Sequence, residues 1–521
     1  MLNRFIVLVI SPFFLFISSV QAFSSQSIFS IYNIETPFTI SQPIIAANLI
    51  DNADNHSADE LLAIGVDDQK QTWLAIYIFD GKSQNYRVYS KQIIPKKYFA
   101  YDLSDFVKED KNKLRSLYFL GKDEVVTFRM APSINNNETT NSFELKQKVN
   151  SMYLVNTADF INAKDFIKDL NQDGVDDIYL PHFEQMNLWL SQPCGQLHFQ
   201  LLPLPPFIEH DNAKVTFNQR ALFFADFNFD DKTDIAWIKQ GRINYFSQTE
   251  TGLFLELSKE VILNNTIYGL NWWNIREPDG DNLDQSKLAH RMVEQIKDVN
   301  GDGIVDMIVR YTQSSGVLER SNDYEFYFGQ KITTADINKV TFQAQPNTVI
   351  QAEGTLTGLN IIDINNDNKF EVMLSSFELS LSNIIGALIS GGIDQNVLLF
   401  SLNSQNSFED KPIASKEVEL SFSLSNGRSG QPIVQIADID GDGLQDLMLS
   451  DDEDTLEVYL GKKGKRKFAK KALRQEMLLA KDGQYIQSHD MNLDGKQDFI
   501  MSYTRLDEGS LLNNFTVLMA N

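Results

Sequence analysis

Short apolar runs alternate along this chain with polar intervals, and the runs have the length and residue types of buried β-strands. Ile178-Tyr179-Leu180, Met307-Ile308-Val309, Leu447-Met448-Leu449 and Phe499-Ile500-Met501 each follow a polar loop at once. Leu222-Phe223-Phe224-Ala225 and Ile361-Ile362 precede one. A second kind of strand recurs further along each unit. Val458-Tyr459-Leu460-Gly461 leads to Phe468, Phe326-Tyr327-Phe328-Gly329 to Phe342, Asn244-Tyr245-Phe246 to Phe254, and Leu188-Trp189-Leu190 to Phe199. About four strands per unit, repeated, predicts an all-β fold built as a single β-propeller.

One apolar run is of another kind. Phe5 to Ile17 follows the basic Arg4, is interrupted by Ser11 and Pro12, and precedes the small residues of Val20-Gln21-Ala22. It is too short and too soon interrupted to span a bilayer, and it reads as a secretory signal peptide over residues 1–22. Residues 23–521 are then an exported chain, periplasmic or extracellular, with no transmembrane helix. The single Cys194 has no internal partner for a disulfide.

The polar intervals carry the chemistry. Six share one pattern: Asp at position 1, Asn or Asp at 3, Asp at 5, usually Gly at 6, and an acid at 9. They are Asp169-Asn171-Asp173-Asp177, Asp226-Asn228-Asp230-Asp234, Asp298-Asn300-Asp302-Asp306, Asp363-Asn365-Asp367-Glu371, Asp438-Asp440-Asp442-Asp446 and Asp490-Asn492-Asp494-Asp498. Oxygen donors at 1, 3 and 5 of a tight turn converge on one point and suit Ca²⁺, so up to about six calcium ions are expected. Position 6 calls for left-handed backbone; its two non-glycines, Asp231 and Asn368, are residue types that tolerate it. An EF-hand would need Glu at position 12, where Leu180, Trp237, Val309, Leu374, Leu449 and Met501 stand. The unit is strand, calcium loop, strand.

Successive first aspartates lie 52 to 75 residues apart. Upstream, Asp51-Asn55-Asp59 reads as a degraded copy with Asp59 at position 9, and a hidden repeat around Tyr98-Phe99-Ala100-Tyr101-Asp102 fills the gap before Asp169. Repeats then start near 45, 97, 163, 220, 292, 357, 432 and 484. That makes eight four-stranded blades, or seven if residues 97–158 are an insertion. The N-terminal segment 28–40 has no blade of its own and would complete the last one, leaving no exposed edge.

Composition narrows the partners. The formal net charge is −24, and a chain so acidic has little basic surface with which to neutralise phosphates, which argues against nucleic acid. With 43% hydrophobic and 11% aromatic residues the chain has the means to build a core. The loops hold much of the acid, so calcium is expected to stabilise the fold.

On these loops and on strand endings such as Val458-Tyr459-Leu460-Gly461, the chain resembles the calcium-loop propellers of the FG-GAP and VCBS repeat family, which includes the integrin α-subunit head. The resemblance implies a propeller with Ca²⁺ in the six loops, and backbone carbonyl ligands at position 7, as at Val175, Ile304 and Leu444. The family spans adhesion, ligand binding and carbohydrate-active enzymes, so it names a scaffold.

Three segments interrupt the repeats. Trp272-Trp273 with Arg276 would stack on sugar rings or anchor an interface, or else the tryptophans pack between blades. Ser382 to Gly392 is apolar but short, and Lys462 to Lys471 is a basic cluster in an acidic chain. No nucleophile motif, metalloprotease helix or phosphate loop is present, and His56, His182, His198, His210, His290 and His489 show no ligand spacing. The reading is an exported binding, adhesion or scaffold module for a protein or polysaccharide, with a polysaccharide lyase or hydrolase on the same scaffold as the rival.

Overall fold

A computed structural model describes residues 27–521 except 51–57, 106–112, 132–139, 152–160, 193–194, 212–213, 219, 276–282, 317–319, 335–336, 352–353, 378–391, 424–427, 452–453 and 465. The expected signal peptide, Asp51, Asn55, Cys194, Arg276 and the segment Ile384 to Ile389 lie outside the described residues. Among the described residues the fold is all-β, with short 3-10 turns and no α-helix. No helix there is long and apolar enough to cross a membrane.

Four antiparallel strands, paired in chain order, recur along the chain. Repeat 1 runs from Ile45–Ala47 to Asn85–Ile93, repeat 2 from Tyr98–Leu103 to Thr140–Lys148, and repeat 3 from Ile167–Lys168 to Leu197–Leu202. Repeat 4 runs from Phe223–Ala225 to Lys259–Ile262, repeat 5 from Ala289–Lys297 to Thr348–Ile350, and repeat 6 from Thr355–Ile362 to Ala414–Ser423. Repeat 7 runs from Val434–Ala437 to Leu473–Glu476. Repeat 8 comprises Ile486–His489, Asp498–Ser502 and Asn514–Ala520, and its fourth strand is the N-terminal Phe29–Glu35. That strand pairs antiparallel with the C-terminal one from Phe29↔Ala520 to Glu35↔Asn514, so the two ends of the chain close one sheet. The sheets of repeats 5 and 6 are also joined edge to edge by a single parallel strand pair, Asn322↔Thr355. Among the described residues two separate hairpins are added, Phe207–Asp211 with Lys214–Asn218, and Gln330–Thr334 with Ile337–Thr341, and short extra strands extend the sheets of repeats 1, 2 and 6.

The apolar runs are buried on both faces, and their alternation sends each face to a different neighbour. In Glu60–Val66, Leu61 and Ala63 join Phe515 and Val517 of repeat 8, while Leu62 and Ile64 join Phe119 and Val126 of repeat 2. In Asp498–Ser502, Phe499 and Met501 join Met448 and Val458 of repeat 7, while Ile500 faces repeat 1. The same holds onward from repeat 2. Leu120 shares a core with Ile178, Leu188 with Phe246, Tyr245 with Met307, Phe326 with Phe400, and Leu399 with Leu449. Each sheet therefore packs on the one before and the one after, and the last packs on the first. That cyclic stacking of four-stranded sheets is propeller architecture. Each buried Leu or Phe contributes roughly 1.5–3 kcal/mol, and the core is spread around the cycle rather than held in one centre.

Candidate functional site

Each of the six aspartate loops joins the first and second strands of its repeat. The residue before position 1 pairs with the acid at position 9, as in Lys168↔Asp177, Ala437↔Asp446 and His489↔Asp498. Within the loop the position 1 carboxylate accepts the amide of position 6 at 2.8 to 3.2 Å in all six. The position 5 carboxylate accepts the amide of position 7 at 2.8 to 3.1 Å. Position 6 is left-handed throughout, including Asp231 and Asn368. Position 4 is left-handed as well, at Gln172, Phe229, Gly301, Asn366, Gly441 and Leu493. Gly301, Gly441 and Asn366 suit that region, whereas Phe229 and Leu493 are types that ordinarily avoid it, so position 4 gives no consistent sign in the sequence. Two left-handed residues one apart curl the backbone tightly enough to turn the side chains at 1, 3 and 5 to one side.

The donor set fits a hard divalent cation. Carboxylate oxygens of Asp438, Asp440 and Asp442 lie within 4.8 Å of one another, and the other loops present Asn at the middle position. Such oxygens match Ca²⁺ in type and number once water or a carbonyl completes the shell. Asp302 and Asp494 hold the equivalent place beside Asn300 and Asn492.

Position 9 has a second task. Asp177, Asp234, Asp306, Asp446 and Asp498 are fully buried, and each carboxylate bridges two backbone amides. One amide belongs to position 2 of the same loop: Leu170, Phe227, Val299, Ile439 and Met491, at 2.9 to 3.0 Å. The other comes from the end of the third strand or just beyond it: Ser191, Gln248, Gly329, Gly461 and Ala520. Burial pushes Asp177, Asp446 and Asp498 up to about 6, and Asp234 and Asp306 up to about 7, against the downward pull of those amide bonds. A carboxylate has about four acceptor positions, so these acids keep lone pairs for a cation.

Repeats 1 and 2 depart from the pattern, and the register in repeat 1 corrects the expectation. Glu60, not Asp59, pairs with Ala47 and accepts the amides of Leu49 and Ile50 at 2.7 and 3.1 Å, as a position 9 acid does. Asp59 takes position 8, where its amide bonds Met491 O of repeat 8, as Phe370 and Gln445 bond Val299 O and Ile364 O. The loop is longer than the other six, so counting from Asp51 shifts the register. The Asp59 carboxylate meets His489 Nε2 at 2.5 Å. In repeat 2, Leu117 occupies the place of the acid, opposite Leu103. Asp102 stays in the strand and clasps repeat 3 by accepting the amides of Phe166 and Ile167 at 2.7 and 2.8 Å.

Trp272 and Trp273 form a 3-10 turn with Asn274, outside the sheets and outside the cores between repeats. Their rings meet edge to face at 5.3 Å, the Arg320 guanidinium lies 4.7 Å over Trp272, and Trp273 is 48% exposed. Behind them Tyr268 stacks on His290 at 4.7 Å, and Arg310 bonds Asn271 at 2.5 Å. Sequence reasoning missed the charged pairs of this repeat. Arg291 holds Glu325 through two bonds of 2.8 Å, and Arg310 pairs with Glu294 at 2.8 Å. Nothing in the spacing of these residues marks them, because cross-strand register brings them together.

No protein-family model matches the chain, and no curated protein matches it. Among solved structures, it is similar to a lectin from Agrocybe aegerita that recognises non-reducing terminal N-acetylglucosamine, at 12% identity and a TM-score of 0.37, covering 85% of this chain and 96% of that one. The biofilm matrix protein Bap1 of V. cholerae is 10% identical at a TM-score of 0.34, covering 95% and 90%. The Dos1 propeller is 11% identical at 0.32, covering 95% and 96%. At such scores these likenesses carry no weight for fold or activity; the strand pairing and the cyclic core do.

Proposed function

We propose that the chain is an exported, calcium-stabilised propeller of eight blades, of the FG-GAP and VCBS repeat type, that binds a polysaccharide. The stabilising half of this reading is supported by six loops that repeat one backbone path, five of which hold the position 3 oxygen on the position 5 amide. The binding half is carried by a single observation, the exposed ring of Trp273 beside Arg320-capped Trp272 on a turn outside the sheets. An aromatic face flanked by amide and guanidinium groups offers stacking and hydrogen bonds to a sugar ring together.

A glycan array probed with and without calcium tests both halves. Binding that weakens with chelator and with Trp273→Ala, while the variant melts as the parent does, supports the reading. An array without a hit, with Trp273→Ala instead weakening capture of a purified surface protein, moves the site to a protein ligand. Release of unsaturated or reducing oligosaccharides from a bound glycan turns the reading to an enzyme.

A further inference from the structure

The Asp363 loop differs from its five counterparts in three ways that meet at one atom. Its position 9 acid is Glu371, the only Glu among the six. Glu371 Oε2 keeps the usual position 2 amide, from Ile364 at 3.1 Å. Its Oε1, however, gathers three donors: Asn365 Nδ2 at 3.1 Å, Ser401 Oγ at 3.0 Å and Lys467 Nζ at 3.0 Å. The ion pair is mostly buried, with Lys467 16% and Glu371 2% exposed. Three donors saturate one carboxylate oxygen.

Asn365 is turned by the same contact. In the other five loops the amide of position 5 donates to the side-chain oxygen of position 3, at 2.9 to 3.2 Å. Asp367 donates only to Asp363 Oδ1, at 3.2 Å, a bond that four of the other loops make in addition, and the Asn365 carboxamide points its NH₂ at Glu371. Its middle oxygen is thus not held as in the other loops.

The lysine is placed by the repeat that follows. Phe468, next to it, is buried in the core between repeats 6 and 7, and Gly461, at the start of the same turn, is tied to Asp446. In the corresponding turns the residue before Phe is His198, Leu253, Thr341 or Ser407. The one lysine at that place faces the one glutamate at position 9. The basic cluster Lys462 to Lys471 therefore contributes Lys467 to the contact between repeats 6 and 7.

We propose that the Asp363 loop carries its own cation, the Lys467 ammonium of repeat 7, and takes up no calcium in the native chain while the other five loops do. The proposal rests on the calcium reading of the loops. An ammonium on Glu371 neutralises part of the loop charge and repels a dication at its centre.

The test is the number of calcium ions bound per mature chain in equilibrium dialysis against millimolar calcium, for the parent, Lys467→Met and Glu371→Asp. Lys467→Met removes the ammonium and keeps an apolar stem. Glu371→Asp draws the carboxylate back to the length found in the other loops. Each variant is expected to bind one more ion than the parent, and adding Asp363→Asn to Lys467→Met should abolish the gain. Equal, non-zero stoichiometry in the parent and a folded variant overturns the assignment of Lys467 alone. No calcium in any of the three defeats the calcium reading itself. If Lys467→Met fails to fold, Glu371→Asp decides.

Discussion

The amide of Gly461 donates to Oδ1 of Asp446 at 2.6 Å, so the residue beyond the third strand of repeat 7 is held by the first residue of the second. Gly329 and Asp306 repeat the relationship in repeat 5 at 3.0 Å. Glycine is required there by space. A Cβ on Gly461 would lie 2.7 Å from Gln445 O, and one on Gly329 would lie 2.2 Å from Val305 O.

Gly329→Ala is therefore expected to lower stability by about 1–3 kcal/mol through overpacking. Asp306→Ala should cost more, because two buried amides lose their acceptor at about 1–3 kcal/mol each. Urea unfolding midpoints measure both. Wild-type midpoints would show that the clasp contributes nothing.

Calcium removal should loosen the whole cycle. At 1 mM calcium and a dissociation constant of about 10⁻⁴ M, each occupied loop adds about 1.4 kcal/mol. A thermal melt in excess chelator should fall well below one in millimolar calcium, and Asp438→Asn with Asp442→Asn should remove only part of the difference. Identical melts would sink the proposal.

The pH dependence of the metal-free chain has a definite sign. Burial raises Asp102 and Glu60 to about 7, chiefly by desolvation and against backbone hydrogen bonds. The folded state then holds protons that the unfolded chain releases near pH 4. Stability should accordingly fall as pH rises from about 4 to 7, by at most about 1.4 kcal/mol per pH unit for each group. Asp102→Asn, compared by unfolding at pH 5 and pH 7.5, should flatten the slope; an unchanged slope would remove Asp102 from the account.

Closure by the N-terminal strand should be worth much of the stability of repeat 8. Phe29 is buried and meets Phe499 edge to face at 5.7 Å. Phe29→Ala is expected to cost about 3–5 kcal/mol and to raise amide exchange first in Asn514–Ala520. Uniform exchange across all repeats would contradict a local seal.

The all-β class and the four-strand unit were legible in the residues because both are local. An apolar run such as Met307-Ile308-Val309 must be buried on both faces wherever it lies, and acids at 1, 5 and 9 around a left-handed position 6 close a loop within nine residues. Other features depended on distant partners. The register that puts Glu60 rather than Asp59 at position 9 is set by Ala47 across a longer loop. The partners of Asp102, the amides of Phe166 and Ile167, lie 64 and 65 residues further along the chain. The pairing of Glu371 with Lys467 spans 96 residues, and no periodicity announces it.

The aspartate loops, their spacing and the apolar strands around them were determined by the sequence alone, since each rests on side chains and backbone angles within one turn or one strand. Which sheet meets which, how Phe29–Glu35 closes the last repeat, and which acid faces an amide, a histidine or a lysine were decided only by tertiary structure. Those contacts form when chemically similar repeats stack in one order, and the stacking, not the local chain, selects the partner.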